Sequence, residues 1–115
     1  MVSESSLISI NDSDFQNTVT GKLGPVVVIF ERRFWGLAQV MTTILEKLSV
    51  KYKGKIRFYR YNLDESSEIS NYYQVEDSTT VLFFNNGKLI TRTGIKSIKE
   101  VDEILVSLTS ECNYK

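Results

Sequence analysis

The sequence predicts an α/β domain with a central mixed sheet that helices cover on both faces. Residues 26–30 form a β-branched run, which is typical of a strand buried on both faces in a mostly parallel sheet. Residues 36–52 repeat apolar side chains at spacings of three and four, which predicts a long covering helix. The Asn86-Gly87 pair lies between two apolar segments and predicts an antiparallel hairpin, because both residues tolerate positive φ.

The composition is that of one globular domain. The 115 residues are 42% hydrophobic and 24% charged, and a chain of this length can bury a sizeable core without disulfides or metal. Lys and Arg number 14, as do Asp and Glu, so net charge gives no drive toward nucleic acid or anionic membrane. We expect residues 1–115 to form a single domain, with its core at about 7–109 and a flexible tail at 110–115.

The absence of histidine excludes several kinds of chemistry. The chain has no His and a single Cys, Cys112, so Ser-His and Cys-His nucleophile pairs are excluded and a zinc site is close to excluded. We therefore expect no metal and no cofactor. No secretory signal or apolar run of about 20 residues is found, and a free thiol suits a reducing compartment. These features predict a cytoplasmic protein that does not enter a membrane.

The first half of the chain alternates strands and helices. Residues 7–10 form a short strand candidate, and Asn and Asp at 11–14 can accept hydrogen bonds from a helix start. Gly21 and Gly24-Pro25 close that helix before the 26–30 strand. Gly54 ends the 36–52 helix, and the alternation of residues 56–63 predicts the next strand.

The second half adds a short helix, the hairpin and a last helix. Residues 66–73 suit a helix with Ile69 and either Tyr72 or Tyr73 inward, and the hairpin strands flank Asn86-Gly87. Ser97 and Glu100 form a capping box, and an apolar stripe then continues to Leu108. The predicted order is β-α-β-α-β-α-β-β-α, in which the early βαβ units imply parallel strands with right-handed crossovers.

This order and several local motifs resemble the thioredoxin family from about residue 7 to residue 108. Residues 26–30 stand where the family has its central strand ending in Asp-Phe. The other matching segments are Ile44-Leu45-Glu46, Tyr61-Asn62-Leu63-Asp64, the hairpin Phe84-Asn85-Asn86-Gly87, and Gly94 before the last helix. The resemblance implies a thioredoxin-like fold.

The positions of the family's thiols hold other residues. Phe34-Trp35-Gly36-Leu37-Ala38 stands where the family has Trp-Cys-Gly-Pro-Cys. In the family, the first cysteine is a thiolate stabilised at a helix N-terminus, and Trp35 occupies that position here. Ala38 occupies the position of the second cysteine. The resemblance therefore implies a redox-inactive relative that is not an enzyme.

Three further active-site positions of the family also differ. Ile29 stands for the buried aspartate that helps to move the proton, and Arg60 for the lysine near it. Thr79 stands for the family's cis-proline. A cis bond before a residue other than proline costs about 2.5–4 kcal/mol, so we expect a trans bond between Ser78 and Thr79.

The same edge of the sheet is the candidate binding surface. Ligands of open α/β sheets favour the carboxyl ends of the strands, and an aromatic pair beside arginines has the composition of an interaction hot spot. We expect a non-catalytic interaction, chaperone or assembly module that binds another protein or peptide there. The predicted surface comprises Arg32, Arg33, Phe34, Trp35, Gly36, Leu37, Ser78 and Thr79. Alternatively, Phe34 and Trp35 fold back onto the body and fill space there.

Other function classes remain open. Cys112 could form a mixed disulfide with a partner, which would make the chain a thiol–disulfide oxidoreductase in redox homeostasis, although a tail thiol without function is the better interpretation. The helix start beside Arg32 and Arg33 could bind a small anionic ligand.

Two further side-chain sets have simple structural explanations. Aromatic residues can stack on nucleic-acid bases. Because helices are expected to cover both faces of the sheet, we interpret four tyrosines as core or rim residues and expect no nucleic-acid binding. These are Tyr59, Tyr61, Tyr72 and Tyr73. The acidic residues Asp64, Glu65 and Glu68 suit a solvated helix start rather than a metal site.

Overall fold

The computed structural model describes residues 7–32, 36–65, 67–75 and 79–113, and of residues 36–38 and 110–113 it describes the backbone alone. The predicted order of elements is confirmed. A π-helical segment, Gln16–Thr20, continues the first helix. The elements are β1 (Ile8–Ile10), α1 (Asp12–Phe15), β2 (Pro25–Glu31), α2 (Gly36–Lys51), β3 (Arg57–Asn62), α3 (Glu68–Tyr72), β4 (Thr80–Asn85), β5 (Lys88–Thr93) and α4 (Ile98–Asn113).

The five strands form one mixed sheet in the order β1-β3-β2-β4-β5. Strands β1, β3 and β2 are parallel, whereas β4 is antiparallel to β2 and β5 is antiparallel to β4. All seven residues of the central strand β2 are buried, as its β-branched run predicts. The α/β class and the mixed sheet are therefore confirmed.

Alternate side chains of β2 enter two core clusters on opposite faces of the sheet. Val27 and Ile29 pack with Met41, Leu45 and Leu105 of α2 and α4. Val26, Val28 and Phe30 pack on the other face, in a cluster that also contains Phe15, Tyr61 and Phe84. Because successive side chains of a strand point to opposite faces, one strand supplies both halves of the core.

The local signals at the turns and caps are confirmed. Asn11 Oδ1 accepts a hydrogen bond from Asp14 N at 3.0 Å, and Ser97 and Glu100 bond each other's backbone N–H at 3.2 and 3.1 Å. Asn86 and Gly87 both have positive φ, 54° and 82°. These elements follow from residues that are close in sequence.

One boundary differs from the prediction. The last helix was expected to end before residue 110, whereas α4 continues to Asn113, since no Gly or Pro interrupts it. The structure also decides between two predicted alternatives. Tyr73, directly after α3, packs against Phe15 and Phe84 with ring centroids 5.8 and 5.5 Å apart, while Tyr72 is exposed. The inward tyrosine is thus Tyr73. None of the helices described is long and apolar enough to cross a membrane.

Candidate functional site

The carboxyl ends of β2 and β3 lie at the same edge of the sheet as the start of α2. Phe30 pairs with Thr80, the first residue of β4, so Thr79 also lies at this edge, and Arg32 follows β2 directly. We call this region the carboxyl edge. It includes the backbone of Gly36 and Leu37 in the first turn of α2.

Part of the predicted surface falls outside the described residues. Arg33, Phe34, Trp35 and Ser78 belong to this part, as does the predicted trans bond between Ser78 and Thr79. The alternative that Phe34 and Trp35 fold back onto the body concerns the same residues.

Ile29 is core, as expected. It is fully buried and lies between Arg60 of β3 and Val81 of β4 in the sheet register. Its side chain packs in the cluster with Met41 and Leu45 of α2. The position where the resembled family has a buried aspartate therefore holds hydrocarbon packed against α2.

A buried carboxylate lies two residues further along the same strand, at Glu31. It is 6% exposed, and its two carboxylate oxygens have separate partners. Thr42 Oγ1 of α2 donates to Oε1 at 2.8 Å, and Arg60 Nη2 of β3 donates to Oε2 at 2.8 Å. Because residues i and i+2 share a face of a strand, Glu31 lies on the α2 side, like Ile29. The network joins β2, β3 and α2.

Sequence reasoning missed Glu31, although a signal was present. An acidic residue at the end of an apolar buried strand must find partners, because an unpaired buried charge is costly. Arg60, an ambiguous residue in the β3 alternation, was the available cation. The two lie next to each other in register, since Arg60 pairs with Ile29 and Asn62 with Glu31.

Arg32 does not offer a free positive charge. Its Nη1 lies 2.6 Å from Asp64 Oδ1, and the two side chains are 36% and 44% exposed. The backbone N–H of Leu63 donates to Glu31 O at 2.9 Å, and that of Asp64 to Asn62 Oδ1 at 2.8 Å. Arg32, which was predicted to belong to the binding surface, therefore forms an ion pair that ties the ends of β2 and β3 together.

Thr79 is buried at 7% exposure. Its carbonyl oxygen lies 3.9 Å from the place where a Cβ on Gly94 would be, so the chain before the last helix passes close to the Thr79 backbone. Thr79 therefore lies at the predicted edge, but because it is buried, little of its surface is accessible to a partner.

A second polar centre at the carboxyl ends holds α3 in place. Asp12 accepts from Tyr61 OH at 2.5 Å and from the backbone N–H groups of Glu68 and Ile69 at 3.1 and 3.0 Å. It thereby caps the helix start, where Ser67 makes no side-chain cap. Burial raises the pKa of Asp12, but the hydrogen bonds outweigh it and the pKa lies below the usual value. Burial and Asp12 raise the pKa of Tyr61 to about 12.

The remaining predicted residues lie elsewhere. Tyr59 and Tyr61 are buried, which agrees with core positions rather than stacking platforms. Cys112 lies in the last turn of α4. The first turn of α4 is close to α2, since Lys96 N donates to Met41 Sδ at 3.4 Å, and the helix rise places Cys112 about 21 Å along the axis from Ile98. The structure thus separates Cys112 from the carboxyl edge.

Comparison with known proteins gives the family. The family model described as Thioredoxin matches residues 6–109. The chloroplastic M-type thioredoxin of Pisum sativum is 37% identical over 79 residues, which are 69% of this chain and 46% of that protein. The thioredoxin of Rickettsia felis is 30% identical over 80 residues, 70% of this chain and 76% of the relative.

A third relative is the mitochondrial thioredoxin of Mus musculus. It is 30% identical over 96 residues, 83% of this chain and 58% of that protein. The chain thus spans about half the length of the pea and mouse relatives, and about three quarters of the bacterial one.

These relatives correct two expectations. The chain was expected not to be an enzyme, but its relatives are thioredoxins, which are disulfide oxidoreductases, and nothing in the described residues shows that it is inactive. The absence of cysteine at two family positions does not by itself show the loss of all activity. A cytoplasmic location was also expected, whereas the pea and mouse relatives are named chloroplastic and mitochondrial, which favours an organelle.

The sheet order, the buried β2 strand and the family match over residues 6–109 agree. The chain belongs to the thioredoxin family.

Proposed function

We propose that this chain serves a thioredoxin-like redox function by binding a protein or peptide partner at the carboxyl edge. The observation that supports the proposal is the buried network of Glu31, Thr42 and Arg60. It connects three elements at the point where β2 ends and α2 begins. The end of β2 and helix α2 are therefore held together by side-chain hydrogen bonds, and fixed elements reduce the entropy that binding has to overcome.

The charges of the edge indicate which kind of partner it fits. Glu31 is paired with Arg60 and Arg32 with Asp64, so these four groups cancel. These described groups therefore attract an anionic ligand only weakly, which weakens the case for the small anionic ligand considered above. Apolar and hydrogen-bonding contacts of a protein or peptide suit such paired groups better.

Binding of a disulfide-containing protein tests the proposal. Trp35 is the only tryptophan of the sequence. A change in its fluorescence on titration with native insulin, whose disulfides are intact, therefore reports on this region alone. We expect Trp35→Ala to weaken binding, measured by calorimetry, by about tenfold, as for an aromatic hot spot. Leu23→Ala is the matched control, because Leu23 is 81% exposed and precedes β2.

Chemical-shift mapping on the native chain tests the same site without a substitution, so its result does not depend on whether Trp35→Ala folds. Shifts at Arg32, Asp64 and the first turn of α2 would support the proposal. Equal affinity of Trp35→Ala and the native chain, or shifts confined to other regions, would contradict it.

A second candidate function is thiol–disulfide exchange through Cys112, supported by its being the only cysteine of the sequence. The Cys112 thiolate would attack a partner disulfide, form a mixed disulfide with one sulfur and release the other as a thiolate, which takes up a proton. A thiol outside these 115 residues, such as dithiothreitol, would resolve the bond.

Insulin reduction with dithiothreitol as the electron donor tests this candidate. If the chain reduces insulin faster than dithiothreitol alone, we expect this additional rate to disappear in Cys112→Ser. The control variant Ser110→Ala should retain it. A rate that survives Cys112→Ser would exclude Cys112 as the reacting group.

The organellar names of the relatives also support a chloroplast or mitochondrion as the place of action. Localisation of the tagged full-length protein in its native cells tests this proposal, and a purely cytosolic signal would contradict it.

A further inference from the structure

A second surface lies at the opposite end of the sheet, where α2 ends and β3 begins. It is a groove of about 410 Å³ whose lining includes Ile8, Val50, Lys53, Arg57 and Phe58. Both Lys53 and Arg57 are exposed. We call it the basic groove. It shares no residue with the carboxyl edge, because parallel strands present their two ends at opposite edges of a sheet.

Two large apolar side chains that line the groove are exposed to solvent. Val50 is 71% exposed and Ile8 is 63% exposed, whereas Phe58 and Ile56 beneath them belong to the core. Large apolar side chains on both sides of a concave surface are a common property of docking sites.

The two charged residues that line the groove, Lys53 and Arg57, are both basic. Residues 47–63 contain six of the 14 basic residues and no Asp or Glu, although the whole chain has no net charge. Two of the six have partners, since Lys51 pairs with Asp102 and Arg60 with Glu31. Among the residues that the structure describes, the other four, Lys47, Lys53, Lys55 and Arg57, form no ion pair.

This concentration of charge determines which occupant fits. A basic partner would be repelled, and an uncharged partner would gain no electrostatic attraction from these cations. Opposite charges at a rim guide association and specify the partner, while apolar contacts at the centre supply affinity. We propose that the basic groove binds an acidic peptide segment of a partner protein that carries an apolar side chain among its carboxylates.

A synthetic peptide tests the proposal. The probe is fluorescein-labelled Asp-Glu-Leu-Phe-Asp-Glu, and its neutral counterpart is Asn-Gln-Leu-Phe-Asn-Gln. Anisotropy titration of the full chain should show tighter binding of the acidic peptide by about tenfold, and the difference should shrink as salt screens the charges. Amide shifts should appear at Val50, Gly54 and Phe58, with unchanged Trp35 fluorescence.

Charge reversal locates the contact. Lys53→Glu and Arg57→Glu should each lower the affinity for the acidic peptide by about tenfold. Lys88→Glu, on the opposite edge strand β5, should leave its affinity unchanged. The substituted side chains are exposed, so the melting temperature of each variant should match that of the native chain. Val50→Asp should also weaken binding, because it places a carboxylate in the apolar part of the groove.

Three results would overturn the proposal. The first is equal affinity for the acidic and neutral peptides. The second is an equal loss of affinity in Lys88→Glu and Arg57→Glu. The third is self-association of the chain in sedimentation that Val50→Asp abolishes, because it would assign the groove to a second copy of this chain.

Discussion

The described charges at the two ends of the sheet are arranged in different ways. At the carboxyl edge, Arg32 is paired with Asp64 and Glu31 with Arg60. At the amino end, Lys53 and Arg57 border a groove without an acidic partner among the described residues. Paired charges at the carboxyl edge stabilise the fold, while the basic residues that line the groove at the amino end are suited to recognition.

The ends also share one feature, a tyrosine that donates to an aspartate. At the carboxyl end Tyr61 donates to Asp12, as described above. At the amino end Tyr52 OH donates to Asp102 at 2.6 Å, and Lys51 Nζ lies 2.8 Å from the same carboxylate. The pKa of Asp102 lies below its usual value, mainly because of the hydrogen bond with Lys51 and secondly because of the one with Tyr52. Burial, followed by Asp102, raises the pKa of Tyr52 to about 12.

The largest effect is expected from Glu31→Ala. It removes the buried partner of Arg60 and leaves the Thr42 hydroxyl without its acceptor. Breaking a buried pair costs about 3–5 kcal/mol, and because the Arg60 side chain is 36% exposed, we expect about 2–3 kcal/mol after allowance for solvent.

Urea denaturation measures this loss. Glu31→Gln keeps an acceptor for Thr42 and should recover part of the stability. A loss below about 0.5 kcal/mol in Glu31→Ala, the range of ordinary surface changes, would show that the carboxyl edge is not held by this network.

Alkaline pH should weaken both ends together. The pKa values of Tyr52 and Tyr61 are raised to about 12 in the folded chain, above the ordinary value near 10. Each tyrosine therefore contributes stability that is fully present below pH 10 and is lost as the pH rises toward 12. The expected loss at pH 11 is on the order of 1 kcal/mol per tyrosine.

Denaturation at pH 8 and pH 11 checks this dependence. Tyr52→Phe and Tyr61→Phe should each remove part of the alkaline loss. Unchanged pH dependence in both variants would assign the loss to other groups.

The same two variants compare the ends at neutral pH. Each removes one hydrogen bond to an aspartate, which is worth about 1 kcal/mol. Tyr61→Phe leaves Asp12 with the N–H groups of α3, and Tyr52→Phe leaves Asp102 with Lys51. Because Tyr61 is fully buried and Tyr52 is 7% exposed, we expect the larger loss for Tyr61→Phe. Thermal unfolding of both variants measures the difference, and the reverse order would contradict it.

The smallest effect is expected from Arg32→Ala. The Arg32–Asp64 pair is partly exposed, and pairs of this kind contribute about 0–1 kcal/mol, which salt reduces further. We expect a loss below about 1 kcal/mol that shrinks in 0.5 M salt. Urea denaturation at two salt concentrations checks it, with Asp64→Ala as the matched partner. A loss as large as that of Glu31→Ala would place the main support of the edge at Arg32.

The accuracy of the sequence predictions depended on the distance between the interacting residues. The Asn86-Gly87 turn and the Ser97–Glu100 box involve neighbours in the chain, and both were predicted correctly. Ile29 was predicted as core because its strand is apolar throughout. Glu31 was missed because its partners Thr42 and Arg60 are 11 and 29 residues away, and only the sheet register and the α2 packing bring them together.

The sequence by itself determined the order of elements, the class of the fold and the family resemblance, because periodicity and turn residues act over a few neighbouring positions. It also determined that Cys112 is the only thiol. The tertiary structure decided which charges are paired. Arg32 and Lys53 are both basic residues beside a helix end, yet the fold brings Asp64 to the first and no described carboxylate to the second. Such pairing depends on contacts between distant segments, which composition and local pattern do not encode.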